Sequence, residues 1–317
     1  SRLEVAGPGF VNFYLNKSWL YEVLLQAVND GTENWARSEE GSNKKVIVEF
    51  VSANPTGPLH AGHGRGACYG DSVARILERS GYLVAREFYI NDRGTQMNLF
   101  ASSLAACTAG ENIPEDGYHG AYIKEWAAEI PGDQDPLEWR KKRALSDQRE
   151  VLRDLNIEFD SWFSETSLVN SGLIEKTLSM LAKANASYEK DGAMWLKSTE
   201  YGDDKDRVLV KSDGEYTYLL PDITYHLDKL TRAERLINVW GADHHGYITR
   251  MKAAIESLGH EPERLEVEVT QMVNLQRSGE EVKLSKRTGD IVELSEVVKE
   301  VGSDAARFTY LLQSIDT

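Results

Sequence analysis

The chain has 317 residues and 41% hydrophobic content, enough for one large domain or two smaller ones with cores of their own. Its two cysteines, Cys68 and Cys107, form no C-x-x-C pair, which argues against a disulfide framework and a cysteine zinc site and suits a reducing, cytoplasmic setting. The formal charge of −15 sits badly with a polyanion held over the whole surface, because such affinity comes from Lys and Arg neutralising phosphates. Any RNA contact is then confined to local basic runs such as Arg140-Lys141-Lys142-Arg143, or carried by other domains. No apolar run approaches the roughly 20 residues that cross a bilayer, and the N-terminus has no signal-peptide pattern, so a soluble protein without a membrane partner is expected.

Residues 1–45 read as a lead-in. Ser1 to Leu15 is rich in glycine and aromatic residues, Trp19 to Val28 has helical spacing, and Gly31 to Asn43 is polar and loop-like. Val46 to Val51 is β-branched or aromatic apart from Glu49, the pattern of a strand buried on both faces. Asn54-Pro55-Thr56-Gly57-Pro58 breaks regular structure. His60-Ala61-Gly62-His63-Gly64 then opens a helix carried by Ala67, Val73, Ile76 and Leu77, with Gly81 where a left-handed C-cap falls. Leu83 to Ile90 is a second strand, and β-turn-α-β is one half of a doubly wound nucleotide fold. Residues 46–104 are assigned to that half.

From Gly94 the pattern turns helical, ending in a stretch with Leu137, Leu145, Val151, Leu152 and Leu155 on one face. Ser171 to Ala184 is amphipathic, and Gly192 to Tyr218 has strand chemistry. Residues 105–217 are expected to be a mostly helical insertion connecting two sheet halves. The second half, 218–275, reads as a helix at Asp222 to Leu230, a strand at Arg235 to Trp240, a helix at Tyr247 to Leu258 and a strand at Leu265 to Met272. Residues 276–317 hold a lysine-rich loop, Glu281 to Asp290, and a helical stretch from Val292 to Gln313. The expected class is α/β, a doubly wound parallel sheet.

A helix N-terminus offers unpaired N–H groups and a positive dipole end, and Gly62, Gly64 and Gly66 would let a phosphate approach the backbone. His60 and His63 add donors aimed at the same anion. Glu49 is the odd residue, because an ionised carboxylate in an apolar strand costs several kcal/mol unless paired. It either meets an internal Arg or Lys or awaits a cationic ligand, and Asp222 poses the same question. Asp243-His244-His245 lacks a third ligand at metal spacing, so no metal site is expected.

His60-Ala61-Gly62-His63 resembles the HIGH signature of class I aminoacyl-tRNA synthetases, and Lys283-Leu284-Ser285-Lys286-Arg287 resembles their KMSKS loop. With Glu49 to Pro55, Tyr89-Ile90-Asn91-Asp92 and Trp240 to Gly246 added, the chain is similar to arginyl-tRNA synthetases of the bacterial type along nearly its whole length. The departures, Ala61, Leu284 and Arg287, leave every expected donor in place. The resemblance implies a Rossmann-like catalytic domain that activates L-arginine with ATP and transfers it to the terminal ribose of tRNA(Arg). It implies catalytic roles for His60, His63, Lys283 and Lys286. ATP, arriving with magnesium, would meet His60, Gly62, His63, Gly241, Asp243, His244, Leu284, Ser285 and Lys286, with Gly241 and Asp243 against the ribose. Arginine would meet Glu49, Ser52, Asn54, Asp92, Gln96, Tyr218 and Asp222.

Carboxylates can bind the planar guanidinium fork in a bidentate way that a lysine ammonium does not match. Discrimination of this kind needs no proofreading, so the insertion is given no editing role. The family's N-terminal tRNA-body module and C-terminal anticodon-binding domain are expected to be absent, and a monomer is expected. Two alternatives stand beside this reading: a small-molecule nucleotidylyltransferase, and a silent paralogue with an RNA-binding or regulatory role.

Overall fold

The computed structural model describes residues 2–131, 136–273, 275–277, 280–282 and 292–315. Arg2–Ala6 (β1) and Phe10–Tyr14 (β2) form an antiparallel hairpin, and Ser18–Asn34 (α1) follows with a break at Gly31, where φ is 68°. The helix thus runs further than the spacing from Trp19 to Val28 suggests, and none of its residues is buried.

The main sheet starts at Lys45–Glu49 (β3), with Val46, Ile47 and Val48 at most 2% exposed. A continuous apolar run is what a strand covered on both faces requires. Ala61–Arg79 (α2) follows, then Gly81 at φ 85° just past its end, and Leu83–Ile90 (β4). Thr95–Ala109 (α3), Ala121–Glu129 (α4) and Pro136–Asp154 (α5) share a small core of Phe100, Leu104, Ile123, Trp126 and Ala144. The chain then returns to the main sheet as Ser161–Ser164 (β5), parallel to β4. Four residues carry too little period-two signal to show as a strand in the sequence. Residues 105–217 are therefore not a single insertion, since the first half of the sheet reaches to β5. Between the halves lie Glu165–Asn170 (α6), Leu173–Lys183 (α7) and a three-stranded antiparallel sheet of Ser187–Lys190 (β6), Ala193–Leu196 (β7) and Arg207–Val210 (β8).

The second half comprises Leu219–Arg232 (α8), Arg235–Gly241 (β9), a 3-10 turn over Ala242–Tyr247, Ile248–Ser257 (α9) and Leu265–Thr270 (β10). Leu294–Val301 (α10) and Ser303–Leu312 (α11) are separated by Gly302, at φ 82°. The five main strands are parallel in the order β10-β9-β3-β4-β5. The order runs outward from β3 on one side and from β9 on the other. The crevice at their carboxyl ends is a topological switch point, where sheets of this kind take ligands. One apolar core, including Val48, Phe50, Phe88, Leu152 and Ile237, covers one side of the sheet, and Ile47, Leu220, Leu236 and Met251 belong to the other. Among the described residues no helix is long and apolar enough to cross a membrane.

Candidate active site

β3 delivers Glu49 to the switch point, and the chain leaves the sheet through Val51 and Ser52, both at positive φ (68° and 43°). A β-branched residue there is strained by about 1–2 kcal/mol and needs surrounding bonds to hold it. Ser52 supplies them: its N–H donates to Phe50 O at 2.9 Å, and its Oγ donates to Glu49 Oε1 at 3.0 Å and accepts from Tyr89 N–H at 3.1 Å. The loop beyond is fastened by helices. Gln148 Nε2 donates to Asn54 O at 3.1 Å and Gly57 O at 3.0 Å, and Tyr122 Oη donates to Thr56 O at 2.8 Å. Neither residue stood out in the sequence, because their partners lie 94 and 66 positions away.

His60 is the N-cap of α2, and its backbone N–H donates to His63 Nδ1 at 3.1 Å. An accepting Nδ1 puts the proton of a neutral His63 on Nε2, leaving that edge as a donor. The two rings lie 3.8 Å apart between centroids. Ala61 N–H donates to Val292 O at 2.9 Å and Leu294 N–H to Leu59 O at 2.8 Å, so the chain on the far side of the lysine-rich loop is tied to the start of α2. Lys283, Leu284, Ser285 and Lys286 lie outside the described residues. The three glycines do not share one task. A Cβ on Gly64 would stand 2.4 Å from the Tyr310 ring of α11, whereas one on Gly66 would meet only Val239, at 3.9 Å. Gly64 makes room for a helix rather than a phosphate. Gly62 and Gly66 are half-buried, Gly241 ends β9, and His244 is exposed on the 3-10 turn. The side chain of Asp243 is not among those described.

The acidic end of the crevice resolves the question about Glu49. Lys229, with no exposed side-chain surface, donates to Glu49 Oε2 at 2.5 Å, so the strand carboxylate meets an internal cation. Asp222 differs. Tyr247 Oη donates to its Oδ2 at 2.7 Å, and among the described residues it forms no ion pair. Burial pushes the Asp222 carboxyl up to about 7, against the Tyr247 bond, with Glu165 and Glu49 adding to the rise.

Glu165 was not picked out in the sequence. It is the first residue of α6, directly beyond β5, and is buried, and burial holds its carboxyl above the usual range. The signal was present as an acid after a short aromatic strand, but it had meaning only once β5 was known to join the sheet. The Tyr89 hydroxyl is buried without a well-formed hydrogen bond among the described residues. It lies beside Glu165, and burial together with Glu165, Asp222 and Glu49 raises its pKa strongly. Three carboxylates therefore act electrostatically on one phenol.

Tyr218, Pro221, Glu165 and Arg93 line a cavity of about 760 Å³, into which 74% exposed Tyr218 projects. Asn54 Nδ2 donates to Gln96 Oε1 at 2.8 Å, which joins those two expected residues. Asp92 departs from expectation. Its carboxylate accepts from Ser164 Oγ at 2.6 Å and from Thr166 N–H and Oγ1, both at 2.9 Å, and is paired with Lys141. With its side chain wholly buried in these bonds it joins β4, β5, α6 and α5 instead of facing a ligand. The basic run on α5 is likewise engaged internally: Arg140 is buried and donates to Ala101 O at 2.7 Å, and Arg143 pairs with Glu129 at 2.8 Å.

The family described as class I tRNA synthetases (R), catalytic domain, matches residues 24–116 and 130–310. An arginine–tRNA ligase of Shouchella clausii is 51% identical over the whole chain, which spans 60% of that relative's length. The arginine–tRNA ligase of Bacillus subtilis is 47% identical with the same coverage. In structure, a Campylobacter jejuni chain assigned as an arginyl-tRNA synthetase superposes with a TM-score of 0.85 at 40% identity, covering 96% of this chain and 70% of that one. The Thermus thermophilus arginyl-tRNA synthetase has the same fold, with a TM-score of 0.71 at 22% identity over 98% of this chain and 63% of its own. On the family match and on relatives of this identity, the chain belongs to the class I tRNA synthetase (R) catalytic domains.

Proposed function

We propose that this chain carries the site where L-arginine is activated by ATP to arginyl-adenylate, for transfer to the terminal ribose of tRNA(Arg). The observation that carries the reading is the mutual electrostatic influence of Glu49, Glu165 and Asp222, with Lys229 pairing directly with Glu49 and, among the described residues, with neither Glu165 nor Asp222. A guanidinium offers a fork of donors and no acceptor, so it suits ionised carboxylates and lets both give up their protons. Tyr218, which lines the cavity with Glu165, and Asn54, which is bonded to Gln96, would complete a polar lining, with Ser52 bracing Glu49.

At the other end of the crevice His60, Gly62 and His63 would face the ATP phosphates, with His63 donating from Nε2. ATP would arrive with magnesium still holding most of its water. Gly241, Asp243 and His244 would hold the ribose side, and Lys283, Leu284, Ser285 and Lys286 the departing phosphates. The pairing of Val292 with Ala61 supports a role for that loop at the helix N-terminus. The arginine carboxylate attacks the α-phosphorus, an O–P bond forms, and the bond to pyrophosphate breaks with negative charge moving onto the leaving group. The barrier falls through positioning and through cations and N–H donors placed where that charge develops. The test is ATP–pyrophosphate exchange with arginine, lysine and glutamate, with and without tRNA. Exchange dependent on arginine alone is the expected result, and exchange supported by lysine or glutamate overturns it.

A further inference from the structure

Lys229 is among the largest fully buried side chains of the molecule and sits on the third turn of α8, close behind the crevice. Its ammonium donates to Glu49 Oε2 on β3 at 2.5 Å and to Asn238 Oδ1 on β9 at 3.0 Å, and lies 4.3 Å from the centre of the Tyr225 ring. The two strands it bridges are the pair at which the sheet order reverses. His226 finishes the arrangement. Its Nδ1–H donates to Asp222 O at 2.8 Å, which leaves Nε2 to accept from Asn238 Nδ2 at 2.9 Å and to face Lys229 Nζ at 3.5 Å. Burial first, and Lys229 second, keep this imidazole neutral.

We propose that Lys229 is a positioning residue of the amino-acid site: without touching substrate, it holds Glu49 in one orientation and supplies the internal positive charge that keeps Glu49 and Asp222 compatible. The inference rests on the reading of the cleft as an arginine site. A lysine serving only to fill the core would be an expensive choice, because burying an ammonium costs several kcal/mol before its partners are counted. Among the described residues its direct partners belong to β3, α8 and β9, and its charge also acts on Glu87 of β4. Asp222 is faced by Tyr247 from the 3-10 turn, Glu49 from β3, Glu165 from α6, and Lys229 on its own helix. Tyr89 of β4 responds to the same carboxylates. Of the groups acting on Asp222, Lys229 is the cation that favours its ionised form.

Arginine binding by wild type, Lys229→Met, Glu49→Gln and the double variant, followed by calorimetry across pH with ATP binding as a control, tests the assignment. If wild type binds no arginine, the reading of the cleft fails, and that failure is visible before any variant is compared. With binding established, Lys229→Met is expected to weaken arginine about tenfold while ATP affinity stays within about twofold, because the loss is confined to the amino-acid end of the crevice. The pH midpoint for arginine binding should move up by about one unit as Asp222 loses a positive charge that favours its ionised form. In the double variant the opposite charges leave together, so the midpoint should return toward wild type while affinity stays as low as in Glu49→Gln. That variant is also the one expected to fold if Lys229→Met alone does not, since an uncharged pair of similar volume replaces a buried ion pair. An unchanged affinity and midpoint in Lys229→Met, or wild-type affinity in the double variant, overturns the proposal.

Discussion

Asp222 lies in the first turn of α8, where the helix dipole favours a negative charge by up to about 2 kcal/mol in partly buried positions. Tyr247 adds a hydrogen bond to its ionised form, yet the carboxyl is pushed up to about 7. Desolvation is the larger effect, and neighbouring acids reinforce it. The native carboxyl keeps its proton toward neutral pH, whereas the unfolded one loses it near 3.8. The native state therefore binds more protons across that interval, and stability falls as pH rises through it. Asp222→Asn keeps an acceptor for Tyr247 and removes the titration. The substituted chain should gain stability over wild type progressively between about pH 4 and 7. Urea unfolding at pH 5 and pH 8 measures this, and equal differences at the two values would contradict it.

Within α2, glycines that look alike in sequence have opposite structural consequences. Gly64 faces Tyr310 of α11, which also donates from its hydroxyl to Ala61 O at 2.8 Å, so the helix and the C-terminal pair of helices interlock at the His60–His63 end. Gly64→Ala should destabilise by about 1–3 kcal/mol, as overpacking does. Gly66 has open space around its missing Cβ, so Gly66→Ala should stabilise by up to about 1 kcal/mol, the helix-propensity difference between the two residues. Thermal unfolding of the two variants should move in opposite directions. Periodicity is legible for this element: its start at His60 and its left-handed residue at Gly81 both follow from local chemistry. The reason for each internal glycine is not, because the neighbour that decides it is 246 positions away at Tyr310.

At the scale of the molecule, the crevice is held in shape by contacts between segments distant in sequence. Asp92 is the clearest case. Burial alone would raise its carboxyl, but Lys141, Ser164 and Thr166 outweigh it and hold the group below the usual range. Its bonds fix α6, and with it Glu165, against the end of β4. Asp92→Asn trades a charged acceptor for an amide and leaves Lys141 without its partner, at an expected cost of about 2–3 kcal/mol. Denaturant unfolding measures that loss. Arginine titration should show weaker binding with ATP binding retained, since the histidine end of the crevice is braced separately through Val292 and Tyr310.

The sequence by itself determined the parallel α/β class, the strand bearing Glu49 and the helix bearing His60 and His63. These depend on apolar runs, turn residues and caps acting over a few positions. It also singled out Glu49 as a charge that had to be answered. Which answer applied was decided by tertiary structure, because Lys229 is 180 positions away and reaches the carboxylate only when α8 packs behind β3 and β9. The same holds for β5 and Glu165, for the internal use of Asp92, and for the separate duties of Gly64 and Gly66. Local pattern fixes what each segment becomes, while charge balance and close approach are properties of segments brought together, and so appear only in the folded chain.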